Sequence, residues 1–269
     1  MHTLPRFYCP IPLLAQTRVA LPDAVAHHAS RALRLREGDA IVLFNGDGTQ
    51  FAAQLRFEQG RAMADLGPQQ HTGTELPGRI GLVQGLPSGD KMDWIIEKAA
   101  ELGVSDVFPI SAQRSIVQLS GNRLEKRQLH WQRIAESASE QSGRNCIVQV
   151  HPLQTLSAYL QQANGVVGYL CHPEGERSLL QALATLPQAS SPAASNAPES
   201  ETSLNSGATP PAPHAFRLLI GPEGGWSPQE LHKVQAAGIQ AVTFGPRILR
   251  TETAGLAMTA AAIATLGWL

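Results

Sequence analysis

Two glycine-rich segments near the end of the 269-residue chain hold the side chains best spaced to do chemistry together: Glu223 in the first, and Arg247, Arg250 and Glu252 in the second. The first reads Ile220-Gly221-Pro222-Glu223-Gly224-Gly225-Trp226-Ser227-Pro228-Gln229-Glu230, the second Phe244-Gly245-Pro246-Arg247-Ile248-Leu249-Arg250-Thr251-Glu252-Thr253-Ala254. In each, a short apolar run (Phe216 to Ile220, then Ala241 to Phe244) ends in Gly-Pro and gives way to a helix. Gly221, Gly224 and Gly225 remove three β-carbons from one strand end, which permits positive φ and lets a ligand lie against bare backbone.

That ligand is not expected to be a phosphate. A P-loop requires a Gly-Lys-Ser/Thr ending and a dinucleotide turn its own glycine spacing, and neither is present. Glu223 inside the loop repels an anion and suits a ligand that offers hydroxyls, amines or positive charge. S-adenosylmethionine offers a sulfonium, an ammonium, a ribose and an adenine, and no phosphate. Arg247 and Arg250 can present forked donors to a carbonyl or an anion, and Glu223 and Glu252 are carboxylates able to take a proton or orient a cation. Each carboxylate also has a purely structural reading, Glu252 as negative charge in the first turn of a helix and Glu223 as the partner of an arginine. The sequence leaves the proton acceptor unassigned.

The elements that must hold these segments are legible around them. Ser227 as N-cap, Pro228 at the first helical position and Glu230 in the capping-box position mark one helix start. The last helix, expected over 253–268, has no polar face and is expected to be buried nearly all round. From residue 80 onward strands (80–86, 104–110, 146–150, 165–170, 216–220, 241–244) alternate with helices (90–102, 155–162, 177–186), which predicts an α/β domain with a mainly parallel sheet. A long helix opens at Asn122, with Glu125 in the capping-box position, and ends at Gly143. Residues 1–72 read as a small β-rich domain: strands 41–44, 51–57 and 61–66, a hairpin at Asn45-Gly46-Asp47-Gly48, and a helix over 23–35. Gly73 to Gly78 reads as the linker to a second domain, 73–269. The stretch 187–213 is almost wholly Pro, Ala, Ser, Asn, Thr, Glu and Gly, and is expected to be a disordered insertion, because it cannot bury enough apolar area to offset its ordering entropy.

Composition narrows the function classes. A net charge of −1 gives no global nucleic-acid signal, so contacts to nucleic acid must come from local patches. Arg31, Arg34 and Arg36 at a helix end form either a phosphate-gripping edge or a solvated terminus complementing the helix dipole. Arg114, Arg123, Lys126, Arg127, Arg133 and Arg144 outnumber Glu125, Glu136 and Glu140 in and around the long helix, and form either an exposed amphipathic face or the wall of an RNA groove. Three scattered cysteines and adjacent histidines on different helix faces predict no disulfide framework and no metal site. No apolar run is long enough to span a bilayer and no signal peptide is present, so a cytoplasmic location is expected.

The two C-terminal segments, IGPEGGWSPQE and FGPRILRTETAGLA, resemble the paired signature of the RsmE family, SPOUT-superfamily methyltransferases that modify N3 of a uridine in 16S ribosomal RNA. Leu86-Pro87-Ser88-Gly89-Asp90-Lys91-Met92-Asp93 and Glu97 to Val104 support the resemblance, as do Pro5-Arg6-Phe7-Tyr8, Leu33 to Asp39 and Gln141-Ser142-Gly143-Arg144-Asn145 more weakly. Ser88 stands where the family usually has Lys, and Cys146 and Val148 replace its common Arg and Pro. The resemblance implies a PUA-like β-barrel at 1–72 and a SPOUT domain with a C-terminal trefoil knot at 73–269. It implies S-adenosylmethionine held by Leu219, Ile220, Gly221, Pro222, Glu223, Gly224, Gly225, Phe244, Gly245, Ile248, Leu249, Thr251 and Glu252, and chemistry by Arg250, Glu223 and Arg247. Arg6, Arg31, Arg34, Arg36, Arg114, Arg144 and Asn145 become the expected RNA contacts, 16S ribosomal RNA within the 30S subunit the substrate, and a homodimer built on the last helix the assembly. Two other classes remain: a SPOUT methyltransferase for another RNA, and a non-catalytic RNA-binding assembly factor.

Overall fold

The computed structural model describes residues 4–163, 165–186 and 215–269, and the insertion expected at 187–213 lies outside the described residues. Apolar alternation over the first seventy positions builds β1 (Arg6–Tyr8), β2 (Arg18–Ala20), β3 (Ala40–Phe44), β4 (Gln50–Glu58) and β5 (Arg61–Gln70), in the sheet order β1-β3-β4-β5-β2. The Asn45 to Gly48 turn joins β3 to β4 as an antiparallel hairpin, with Phe44 opposite Gln50. Phe7, Leu21, Ile41, Leu43, Phe51 and Leu55 fill the core of this domain. The helix expected over 23–35 is shorter: α1 (Asp23–His27) passes into a π-helical turn at His28–Ala32, and Arg34 takes φ 56°. The wider turn keeps Ala29 in the core beneath Val25, a shift of period that a 3.6-residue pattern does not reveal.

The second domain contains β6 (Arg79–Gly85), α2 (Lys91–Glu101), β7 (Asp106–Ser111), α3 (Gly121–Ser142), β8 (Gln149–Val150), β9 (Gln154–Thr155), α4 (Leu156–Gln162), β10 (Val167–Cys171), β11 (Arg177–Ser178), α5 (Leu179–Leu183), β12 (Ala215–Ile220), α6 (Pro228–Ala236), β13 (Gln240–Thr243) and α7 (Thr251–Leu266). The sheet runs β11-β13-β10-β12-β6-β7-β8, and its ladders are parallel. Successive residues of a strand face opposite ways. Leu82 and Leu218 enter the core shared with α2, α3, α5 and α7, while Val83 and Leu219 enter the one shared with α4 and α6.

Four expectations are corrected here. The strand over 146–150 shrinks to β8, because Cys146 bridges Gly46 and Asp47 of the first domain. The N-cap of α3 is Ser120, with no side-chain cap, so the box expected from Asn122 and Glu125 does not form. Arg177 and Ser178 join β13 as a strand, and Ser178 then caps a short α5 with Gln181. Finally, α7 starts at Thr251 and leaves Thr253, Ala260 and Ala264 exposed in the single chain, because its partners α2, α5, β6 and β12 cover one side.

The two domains are tied by a charged joint. Glu75, from the stretch between the sheets, accepts from Arg144 Nε and Nη2 at 3.0 and 2.7 Å and from the Asn145 and Cys146 N–H groups at 3.1 and 2.9 Å. Arg6 of β1 donates to the Gln50 side chain (2.5 Å), the Arg144 carbonyl (3.0 Å) and Asn145 Oδ1 (2.7 Å). The Tyr8 N–H donates to Glu140 of α3 at 2.6 Å. Hydrogen bonds to charged groups contribute about 1.5–3 kcal/mol each, and a buried charge left alone costs more.

Candidate active site

Strands β10, β12 and β13 end on one edge of the sheet, the carboxyl edge at which open parallel sheets bind ligands. A cavity of about 680 Å³ opens there, lined by residues 220–226, residues 244–252, Lys91, Arg114, Cys171 and His172. It collects every expected cofactor residue except Leu219, whose side chain points into the core beneath α6.

The first Gly-Pro loop is built into its surroundings. Pro222 presses on Gly85 of β6, where an added β-carbon would lie 2.5 Å from Pro222 Cδ. The Gly221 carbonyl accepts from Thr251 Oγ1 at 2.5 Å, and Thr251 Oγ1 accepts from the buried Gln84 at 2.8 Å. The Gly224 carbonyl accepts from Arg114 at 3.3 Å. Ser227, Pro228 and Glu230 form the expected capping box, and Glu230, 4% exposed, also accepts from the Gln113 N–H at 2.9 Å. Of the three expected glycines only Gly225 takes positive φ; Gly221 and Gly224 instead lie tight against Trp226 and Arg114.

The second loop is the opposite case. Gly245 to Leu249 take no hydrogen bond from the described residues, and Ile248 is 88% exposed. Arg247 and Arg250 line the cavity and are exposed, with no carboxylate of the described residues within ion-pair distance. The loop's backbone groups are exposed at the cavity and stay available to whatever enters it.

Lys91, which carried no role in the sequence reading, joins the two carboxylates. Its Nζ lies 2.9 Å from Glu223 Oε1 and 3.6 Å from Glu252 Oε2. Ser88 adds its N–H and its hydroxyl to Glu223, at 3.0 and 2.7 Å. Desolvation would raise the Glu223 carboxyl, but the bonds from Lys91 and Ser88 outweigh it and hold the group down at about 2. A carboxylate so held is a poor proton acceptor, which favours the orienting one of the two roles the sequence left open for it. Glu252 Oε2 is shut off from solvent and has no hydrogen-bond donor among the described residues. So is the indole nitrogen of Trp226, which also lines the cavity.

The RNA methyltransferase domain family matches residues 74–263, and the RNA methyltransferase PUA domain family matches residues 21–61. Ribosomal RNA small subunit methyltransferase E of Bacillus subtilis is 32% identical over 237 residues, covering 86% of this chain and 83% of that one. The chain belongs to the ribosomal RNA small subunit methyltransferase E (RsmE) family. The crystal structure of the RsmE protein of Neisseria gonorrhoeae, bound to S-adenosyl methionine, superposes with a TM-score of 0.81 at 35% identity, over 97% of this chain and 98% of that one. A putative methyltransferase of Legionella pneumophila in complex with the same cofactor has a TM-score of 0.80 at 26% identity, over the same shares. In this RsmE-family chain Arg31, Arg34 and Arg36 are exposed where α1 and its π turn end, and Arg114 is exposed at the cavity. The remaining expected RNA contacts are corrected. Arg144 is 4% and Asn145 1% exposed, and these two and Arg6 spend their polar groups on the joint between the domains.

Proposed function

We propose that the protein transfers a methyl group from S-adenosylmethionine to N3 of a uridine in 16S ribosomal RNA of the small subunit. The observation that carries this reading is the single cavity enclosed by two unlike Gly-Pro loops. Its size lies within the 300–1,000 Å³ of small-molecule sites. The residues fit the cofactor: backbone groups at 245–249 with no hydrogen bond among the described residues suit an adenine and a ribose, and Glu252 Oε2, held only by the longer 3.6 Å ion pair to Lys91, suits a cationic end. The cofactor, when bound, supplies a methyl group on a sulfonium for in-line transfer. Uridine N3 must lose its proton, and the charge left behind spreads over the two flanking carbonyls. Arg250 and Arg247, without ion pairs among the described residues and lining the same cavity, stabilise that charge with forked donors. Lys91 and Ser88 fix Glu223 and hold the first loop against α2.

Arg31, Arg34, Arg36 and Arg114 contact the RNA, consistent with their exposure. The domain division near residue 72 and the trefoil threading of the C-terminal segment belong to the same reading, supported by β12 lying between β10 and β6 and by the Thr251 to Gly221 bond. The small-residue stripe of α7 (Thr253, Ala257, Ala260, Ala264) is the surface for a second copy, and the ribosomal substrate places the protein in the cytoplasm.

The test is nucleoside mass spectrometry on 30S subunits from cells lacking the endogenous activity, incubated with S-adenosylmethionine with and without the protein. New 3-methyluridine in 16S RNA is the expected result. Binding to the subunit without methylation would overturn it in favour of an assembly factor, and methylation confined to another RNA would move the substrate.

A further inference from the structure

A second groove, of about 530 Å³, runs along the first turns of α3 and is lined by Leu119, Asn122, Arg123, Lys126, Arg127 and His130. Residues 123, 126, 127 and 130 share one helix face by their spacing. Asp90 and Asp93 of α2 pair with two of these groups, Arg127 at 2.8 Å (from Asp90) and His130 at 2.8 Å (from Asp93). Arg123 and Lys126 are exposed and have no carboxylate of the described residues within ion-pair distance. The groove therefore carries two uncompensated cations on a chain whose net charge is −1.

Its position relative to the cavity is fixed twice. Asp90 and Lys91 are consecutive, and the first pairs with Arg127 in the groove while the second pairs with Glu223 in the cavity. Independently, the segment from Arg114 to Leu119 starts on the cavity and ends on the groove. Five residues span at most about 18 Å, the length of roughly five nucleotides at the 3.4 Å spacing of stacked bases.

We propose that this groove binds the sugar-phosphate backbone of the substrate RNA strand, within about five nucleotides of the base presented to the cavity. The inference rests on the methyltransferase reading for its substrate. The geometry favours a polyanion over a protein partner, because two cations with no carboxylate partner among the described residues line a groove joined to the cavity by the 114–119 segment, and Leu129 is the one exposed large apolar side chain of α3.

The experiment compares the unsubstituted protein with Arg123→Gln/Lys126→Gln, and with Arg123→Lys/Lys126→Arg as the charge-keeping control. RNA affinity is measured on a 16S fragment and on 30S subunits at several salt concentrations, beside calorimetry of S-adenosylmethionine binding. Loss of two phosphate contacts is expected to lower the slope of log affinity against log salt by about 1.4, from 0.7 per contact on a single strand. We expect RNA affinity at low salt to fall about tenfold or more, cofactor affinity to stay unchanged, and the control to restore the slope. An unchanged slope and affinity in the Gln variant overturns the groove even if methylation proceeds. A weakened slope in a protein that methylates nothing supports the groove and overturns the methyltransferase reading instead.

Discussion

The two Gly-Pro loops begin alike and end in opposite conditions. Residues 221–227 are cross-linked to β6, α2, the segment before α3, and α7 through Gly85, Lys91, Arg114 and Thr251. Residues 245–249 are bonded to nothing among the described residues. Sequence similarity between the loops thus hides a division of labour. One is a wall whose conformation the protein determines, and the other keeps its backbone donors and acceptors for what enters the cavity. The difference arises because Glu223, Trp226 and Glu230 find distant partners or burial, while Arg247, Ile248 and Arg250 line the cavity exposed and without partners among the described residues.

If the division is right, damage to the second loop is functional and damage to the first is structural. The largest effect is expected from Arg250→Ala. Removing a donor aimed at developing negative charge costs about 10²–10³-fold in rate, and the unfolding midpoint should not move because the side chain has no partner among the described residues to lose. A midpoint lowered together with activity would break the comparison. Next comes Gly85→Ala, whose β-carbon collides with Pro222; overpacking of this kind costs roughly 1–3 kcal/mol. At about 2–4 °C per kcal/mol for a domain of this size, thermal unfolding should shift by about 5 °C, and an unshifted midpoint would show that the first loop yields. The smallest effect is Lys91→Met. Glu223 is depressed in the fold, so its contribution to stability is present above its ordinary 4.5 and is lost as pH falls toward about 2. The stability gap between the variant and the unsubstituted protein should therefore narrow as pH drops from 4.5 to 2 in chemical denaturation. A gap constant over that range would mean that the ion pair does not anchor the loop.

What the sequence revealed followed the range of the interactions. The capping box at Ser227 and Glu230, the hairpin at Asn45 to Gly48 and the parallel alternation of strand and helix are local chemistry, and each forms. Arg144 looked like an RNA contact because a charge pattern carries no information about a carboxylate 69 residues away, which is where Glu75 sits. Lys91 escaped notice for the same reason, with Glu223 132 residues distant. The family resemblance located the cavity, while the roles within it needed the folded neighbours: Glu223 as a carboxylate anchored by Lys91 and Ser88, Glu252 as one held only by the longer ion pair to Lys91.

The joint at Glu75 also sets a length. Arg6, Arg144 and the connecting stretch share one set of hydrogen bonds, so the domains cannot hinge without stranding a guanidinium that has left water. The separation between Arg34 on one domain and the 244–250 loop on the other is then fixed by the joint. On the proposed function, an RNA is accepted when its own fold already brings a phosphate and the target base to that gap, so the protein gauges shape before it reads a base.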